Sequence, residues 1–159
     1  MTSEQLRDFE DVYDAFSPLV FRIALSHTQN REDAEDLLHD VFIKYMEKMP
    51  RLKDEEHKRA WLVRVTVNAA RDALRKRNYR SHLSLDEVTE APAAERTEKA
   101  EVFYALDSLS EHDRTVILLH DLEGYPLKET ASMLGIGLSA AKMRLTRARE
   151  RLKKLMERE

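Results

Sequence analysis

The sequence predicts an all-α chain of two small helical domains joined by a flexible linker, the second ending in a helix-turn-helix. Three observations carry that expectation. Ala, Leu, Glu, Lys, Arg and Met favour helix in almost every window, and only three glycines and four prolines interrupt them. Apolar residues recur at steps of three and four on either side of a central break. That break, 81–97, combines Ser, Thr, Pro92 and several acids without apolar periodicity, and so reads as an acidic linker between a domain at 1–80 and another at 98–159.

The first helix is marked by Phe9, Val12, Tyr13 and Phe16, and Ser17-Pro18 predicts a break or kink before Val20, Phe21 and Ala24 resume the pattern. Asn30 is placed to cap the second helix, with Glu32 and Asp33 favourable against the dipole of its first turn. Ala34, Leu37, Leu38, Val41, Phe42, Tyr45 and Met49 then trace the clearest amphipathic face in the chain, ending before Pro50. A charged loop, 51–58, leads to a third helix from about Arg59 to Tyr79, whose apolar stripe includes Leu62, Val65, Ala69 and Ala73. Trp61, beside Leu62 and one turn before Val65, reads as a core residue rather than a base-stacking wedge.

Beyond the linker, Val102, Phe103, Leu106 and Leu109 mark one helix. Ser110, with Asp113 three residues later, resembles a cap for the next, which Val116, Ile117 and His120 continue to Gly124. Pro126 suits the first turn of the following helix, Gly135 closes it, and Ser139 is placed to cap a last helix running towards Leu155.

Composition excludes several kinds of chemistry. The chain has no cysteine, so disulfides, thiolate zinc and thiol redox sensing are ruled out. No apolar run approaches the roughly 20 residues needed to cross a bilayer, and the N-terminus is polar, so no membrane insertion and a cytoplasmic location are expected. The histidines are scattered without metal-ligand spacing, and there is no phosphate-cradling glycine loop, nucleophile elbow or paired-carboxylate setting. The expectation is a non-enzyme with no catalytic residue, metal or cofactor.

The net charge of -3 conceals strong segregation. Residues 1–58 carry 8 basic and 14 acidic side chains, 59–80 carry 7 and one, 81–126 carry 3 and 11, and 127–159 carry 9 and 4. Two basic blocks on an otherwise acidic chain point to two surfaces for an anionic ligand. In the second block, Leu127 to Leu134, then Gly135-Ile136-Gly137-Leu138, then Ser139 onward have the dimensions of a helix-turn-helix. Leu138, Ala141, Leu145, Ala148, Leu152 and Leu155 form the expected buried seam, leaving Lys142, Arg144, Arg147, Arg149, Arg151 and Lys153 for solvent or phosphate, with Glu150 the single acid among them. In the first block, Arg64, Asn68, Arg71 and Arg75 share one helix face, and Lys76, Arg77 and Arg80 add charge at its end. Such a face can follow a phosphate backbone, with Asn68 offering a donor and an acceptor. A solvated surface, neutralised by the acidic second helix, is the plainer alternative.

These elements resemble a known family, the small extracytoplasmic-function sigma factors of bacteria. Asp33-Ala34-Glu35-Asp36-Leu37 with His39-Asp40-Val41-Phe42 resembles the segment that docks on core RNA polymerase. Ala60-Trp61-Leu62 with Asn68, Asp72 and Arg75 resembles the promoter-melting helix. Leu109-Ser110 through Arg114, Glu123-Gly124, Glu129, Ala131, Leu134-Gly135-Ile136, Lys142, Arg144-Leu145 and Arg147-Ala148-Arg149 resemble the second domain.

The resemblance implies a sigma factor that directs promoter-specific transcription initiation. Residues 1–80 would bind the polymerase clamp through Asp33, Glu35, Asp36, Leu37, His39, Asp40 and Phe42, and the minus-10 element through Arg64, Asn68, Arg71, Arg75, Lys76 and Arg77. The loop 51–58 would capture an extruded base. Residues 98–159 would bind the flap and read the minus-35 element of promoter DNA through Ser139, Ala140, Lys142, Arg144, Arg147 and Arg149. An anti-sigma protein is the implied regulator, and neither an N-terminal inhibitory segment nor an appended sensory domain is expected. Two departures stand out: His39 occupies a place where glutamine is common, and Ala140 cannot donate a hydrogen bond, although it can meet a thymine methyl. A stand-alone helix-turn-helix regulator would need a dimerisation helix, which is not evident, and a decoy that binds only anti-sigma proteins could dispense with the arginines.

Overall fold

In the computed structural model, which describes residues 1–49, 52, 54–83, 101–102 and 105–157 and only the backbone of 77–83, the chain begins with a reciprocal cap. Thr2 Oγ1 accepts from the Gln5 N–H at 3.1 Å and Gln5 Oε1 accepts from the Thr2 N–H at 2.9 Å, satisfying two donors that the first turn leaves free. The helix that follows, α1, runs unbroken over Ser3–Thr28. Pro18 lies inside it, so the expected break is absent: proline removes one hydrogen bond, but Phe16, Leu19, Val20 and Ile23 are buried on both sides of it and hold the segment helical. Gln29, in the left-handed region at φ 56°, ends α1 with its N–H on the Leu25 carbonyl.

Asn30 caps α2 (Arg31–Lys48), its side chain accepting from the Asp33 N–H at 3.1 Å. All seven residues of its expected apolar face are buried. The third helix, α3 (Glu55–Leu83), is longer at both ends than its periodicity indicated. Residues 55–58 of the expected loop are its first turn, started by Asp54, whose carboxylate accepts the His57 N–H at 2.8 Å. At the other end, 81–83 of the expected linker are helical, and 84–97 lie outside the described residues. Its buried stripe is Leu62, Val63, Thr66, Val67 and Ala70, rotated from the expected one, with Val65, Ala69 and Ala73 half-buried at its border. Trp61 is also half-buried and packs edge-on against Tyr45, 5.9 Å between centroids.

In the second unit, Leu106–Ser108 form one 3-10 turn, so the helix expected around Leu106 and Leu109 ends there. Phe103 lies outside the described residues. Ser110 caps α4 (Glu111–Ile117), accepting from the Asp113 N–H at 3.3 Å, and the helix widens to a π-turn over Leu118–Leu122 before Gly124 turns the chain at φ 82°. Pro126 stands at the cap position of α5 (Leu127–Leu134), which Gly135 closes at φ 68°. The last helix, α6 (Leu138–Glu157), begins two residues earlier than expected: the Gly137 carbonyl accepts its first hydrogen bond from Ala141, and Ser139 sits inside the first turn rather than at the cap.

Among the described residues there is no strand, and no helix is long and apolar enough to cross a membrane. The two units share one continuous apolar cluster, in which α1, α2 and α3 form a bundle, α5 packs against α3 and the 3-10 turn against α1, and α6 packs on α4 and α5.

Candidate nucleic-acid interface

The helix-turn-helix is built by its corner. Gly135 adopts a left-handed conformation open to a residue without Cβ strain, and its N–H caps α5. The Ile136 N–H then reaches back to the Ala131 carbonyl at 3.0 Å, which fixes the angle at which α6 departs. Ala141, Leu145, Ala148 and Leu152 are buried as the seam requires, and Leu155 is half-buried. Leu138 does not join them; it is 42% exposed because α6 starts there, beyond the reach of α5.

On the other side of α6, Ser139 and Lys142 are exposed and Ala140 is half-buried. Arg147 donates to Asp113 at 3.3 Å, and Arg149 grips Asp121 with two bonds of 2.6 and 3.0 Å, raising its pKa through that pairing. Arg144 is half-buried and turned towards α3 rather than outward.

The basic face of α3 meets the second unit. Arg64 donates through Nε to the Met133 carbonyl and through Nη2 to that of Ser132, each at 3.2 Å, so it caps the C-terminus of α5. Arg71 Nη2 lies against the His112 ring, and its Nε faces the Glu111 carboxylate at 3.3 Å. Asn68, between them, is exposed and lines the same cleft as Arg144. Arg75 and Lys76 are exposed further along, and the Arg77 side chain lies outside the described residues. Two more pairs close the junction. Arg22 makes a bidentate bridge to Glu123, and Arg59 bonds Glu129 at 3.2 Å while stacked between the rings of Phe16 and Tyr125.

The acidic segment of α2 separates into two faces. Asp33, Glu35, Asp36, His39 and Asp40 are exposed, and Glu35 is paired with Arg31 at 3.2 Å. Leu37 and Phe42 are core residues, Phe42 at 4.9 Å from the Tyr13 ring, so neither is on the surface that a partner would touch. In their place Ile43, 56% exposed, and Met46, 42% exposed, bring apolar area to the acidic face. Sequence reasoning passed over these two; their signal is an apolar residue falling off the seven-residue stripe. Among the described residues no three His, Asp or Glu side chains converge as a metal site would require.

Comparison with known proteins places both units. Residues 12–80 match the family model of Sigma-70 region 2, and residues 99–152 match that of Sigma-70, region 4. The chain is 30% identical over 152 residues to the ECF RNA polymerase sigma factor SigM of Mycobacterium tuberculosis, covering 93% of this chain and 76% of that one. It is 34% identical over 157 residues to the RNA polymerase sigma factor SigZ of Bacillus subtilis, covering 94% and 88%. Among solved structures it resembles the sigma factor RpoE in complex with the anti-sigma factor NepR from Bartonella quintana, with TM-score 0.78 and 25% identity over 95% of this chain and 98% of that one.

Proposed function

The chain belongs to the extracytoplasmic-function RNA polymerase sigma factors, which direct promoter-specific transcription initiation, and from that premise we propose how its two units divide the work. The unit at 1–80 docks on the polymerase clamp through the exposed face of α2, with Asp36, His39 and Asp40 supplying charge and Ile43 and Met46 apolar area. Its α3 face, from Arg64 to Lys76, takes the minus-10 element. The unit at 98–159 binds the flap and sets Ser139, Ala140, Lys142, Arg147 and Arg149, and Arg144 once the units part, into the major groove of the minus-35 element. The chain supplies specificity in the cytoplasm and forms no covalent bond itself; the polymerase does the chemistry.

The observation that carries this division is the helix-turn-helix closed by Gly135, which leaves the first turn of α6 exposed at Ser139 and Lys142. Arg64 and Arg71 are engaged by the second unit, so α3 can receive DNA only when the units part. Docking of each unit on its own polymerase site would do this, and would hold two weak DNA contacts at one spacing. The relative solved with an anti-sigma factor, whose fold spans nearly the whole chain, supports an anti-sigma protein as the partner of the undocked state.

The test is run-off transcription from a pooled promoter library with purified core polymerase. Transcripts that require this protein and share two upstream elements at fixed spacing are the expected result. Their absence with an active core enzyme and a folded protein would overturn the assignment.

A further inference from the structure

We propose that the cleft between the two units is a binding site for a small phosphate-class anion, held by Arg64 and Arg71 of α3 and Arg144 of α6. The cleft has a volume of about 130 Å³. Since a cavity of about 150 Å³ takes one benzene-sized molecule, this suits a tetrahedral oxyanion or two linked ones, and is far too small for a duplex or a helix. Asn68 and His112 complete its polar wall, and Ile136 contributes an apolar one.

Charge and unsatisfied donors favour an anion there. Three guanidinium groups face the cleft, whereas one carboxylate, Glu111, approaches Arg71 at 3.3 Å. Arg71 Nε is buried and, although the Glu111 carboxylate lies 3.3 Å away, makes no well-aligned hydrogen bond, so a better-placed acceptor would stabilise it. Arg64 is already fixed by the Ser132 and Met133 carbonyls, so its guanidinium loses little freedom when it binds. His112 reports the local field: burial lowers its pKa, and the positive charges of Arg71 and Arg144 lower it further, against the opposing pull of Glu111 and Asp113.

A phosphate-class ion is favoured over a single carboxylate because three forked donors, two on α3 and one on α6, can each engage a different oxygen of a tetrahedral group. By bridging α3 to α6 the ion would hold the units together, and it would compete with DNA for the same arginines. The proposal rests on the closed geometry of the free chain, and its test contains neither DNA nor polymerase, so it can fail while the transcriptional assignment stands.

The experiment is calorimetric titration of the full chain with inorganic pyrophosphate in low-salt, phosphate-free buffer, alongside NMR titration of the His112 ring. One-to-one binding is expected, weakened about tenfold or more by Arg144→Gln and by Arg71→Gln, as loss of a charge-assisted contact requires. Lys44→Gln, at an exposed position on α2, should bind like the parent. The His112 pKa should rise when pyrophosphate is bound. No binding at millimolar concentration, equal weakening by Lys44→Gln, or an unmoved His112 titration would overturn the site. Should Arg71→Gln fail to fold, Arg144→Gln and the parent's His112 signal still decide.

Discussion

The ring of His27 and the hydroxyl of Thr115 meet at 3.2 Å across the junction of the two units, 88 residues apart in sequence and both buried. The other ring nitrogen, Nδ1, lies 3.0 Å from the Ile23 carbonyl. Burial drives the pKa of His27 down to about 4, so the ring is neutral near pH 7 and its single N–H serves either the Ile23 carbonyl or Thr115, not both. The junction therefore holds a neutral imidazole, kept so by burial against the opposing pull of its hydrogen bond to the Ile23 carbonyl.

This gives a pH dependence with a definite sign. The folded pKa lies below the ordinary value of 6.5, so the unfolded chain binds the extra proton first, and stability falls as pH drops from about 6.5 to about 4. The contribution at stake is about 3 kcal/mol over that window. Urea denaturation at stepped pH should show the loss, and His27→Gln should flatten it; an unchanged slope in the variant would assign the acid sensitivity to other groups.

Arg114 is a buried cation used as structure. It is 4% exposed and donates to the carbonyls of Leu106, Asp107 and Leu109 at 2.8, 3.2 and 2.9 Å, tying the 3-10 turn to α4. Removing it leaves three carbonyls short of a donor and a cavity behind. Arg114→Ala should cost about 3 kcal/mol. Thermal melting of the full chain is the measurement, and a shift no larger than that of an exposed control such as Arg151→Ala would refute a structural role.

The charge pairs at the junction predict that it opens with charge reversal. Arg22 and Glu129 are partly exposed, so each bridge contributes only about 0.5 kcal/mol. Glu123→Lys combined with Glu129→Lys replaces two attractions by two repulsions and should expand the chain at low salt, with compaction recovered as salt screens the charges. Small-angle scattering reads the radius directly.

Promoter contact is tested on α6. Arg144→Glu with Arg149→Glu should reduce promoter-dependent transcription at least tenfold while core binding persists, since base and phosphate contacts contribute about 1–3 kcal/mol each. Lys142→Ala should weaken binding to all sequences alike and lower the salt slope by about one. Loss of core binding in the double variant would place these arginines on the polymerase instead.

Polymerase docking is tested on α2. Asp36→Arg with Ile43→Ala alters only exposed atoms, so it should weaken core binding without lowering the melting temperature by more than a degree or two. Phe42→Ala, by contrast, should cost about 3–5 kcal/mol of stability because Phe42 belongs to the aromatic core with Phe9, Tyr13 and Tyr45. Pull-down of core polymerase separates the two effects.

Sequence alone determined several features governed by short-range periodicity and capping. The seven buried residues of α2, the caps at Asn30 and Ser110, the corners at Gly124 and Gly135 and the position of the helix-turn-helix follow from spacing, because side chains three and four apart share a helix face and special backbone angles select particular residues. Tertiary packing decided the rest. It carried α1 through Pro18 because burial on both sides offsets one missing hydrogen bond. It left Ile43 and Met46 on the surface although both are apolar, since how wide an arc a helix buries is set by the neighbours packed against it and not by its composition. Above all it joined Arg22 to Glu123, Arg64 to the end of α5 and His27 to Thr115. Those partners lie about 70 to 100 residues apart, and charge or polarity in a sequence indicates what a side chain can pair with, while only the folded chain selects which partner comes within 4 Å.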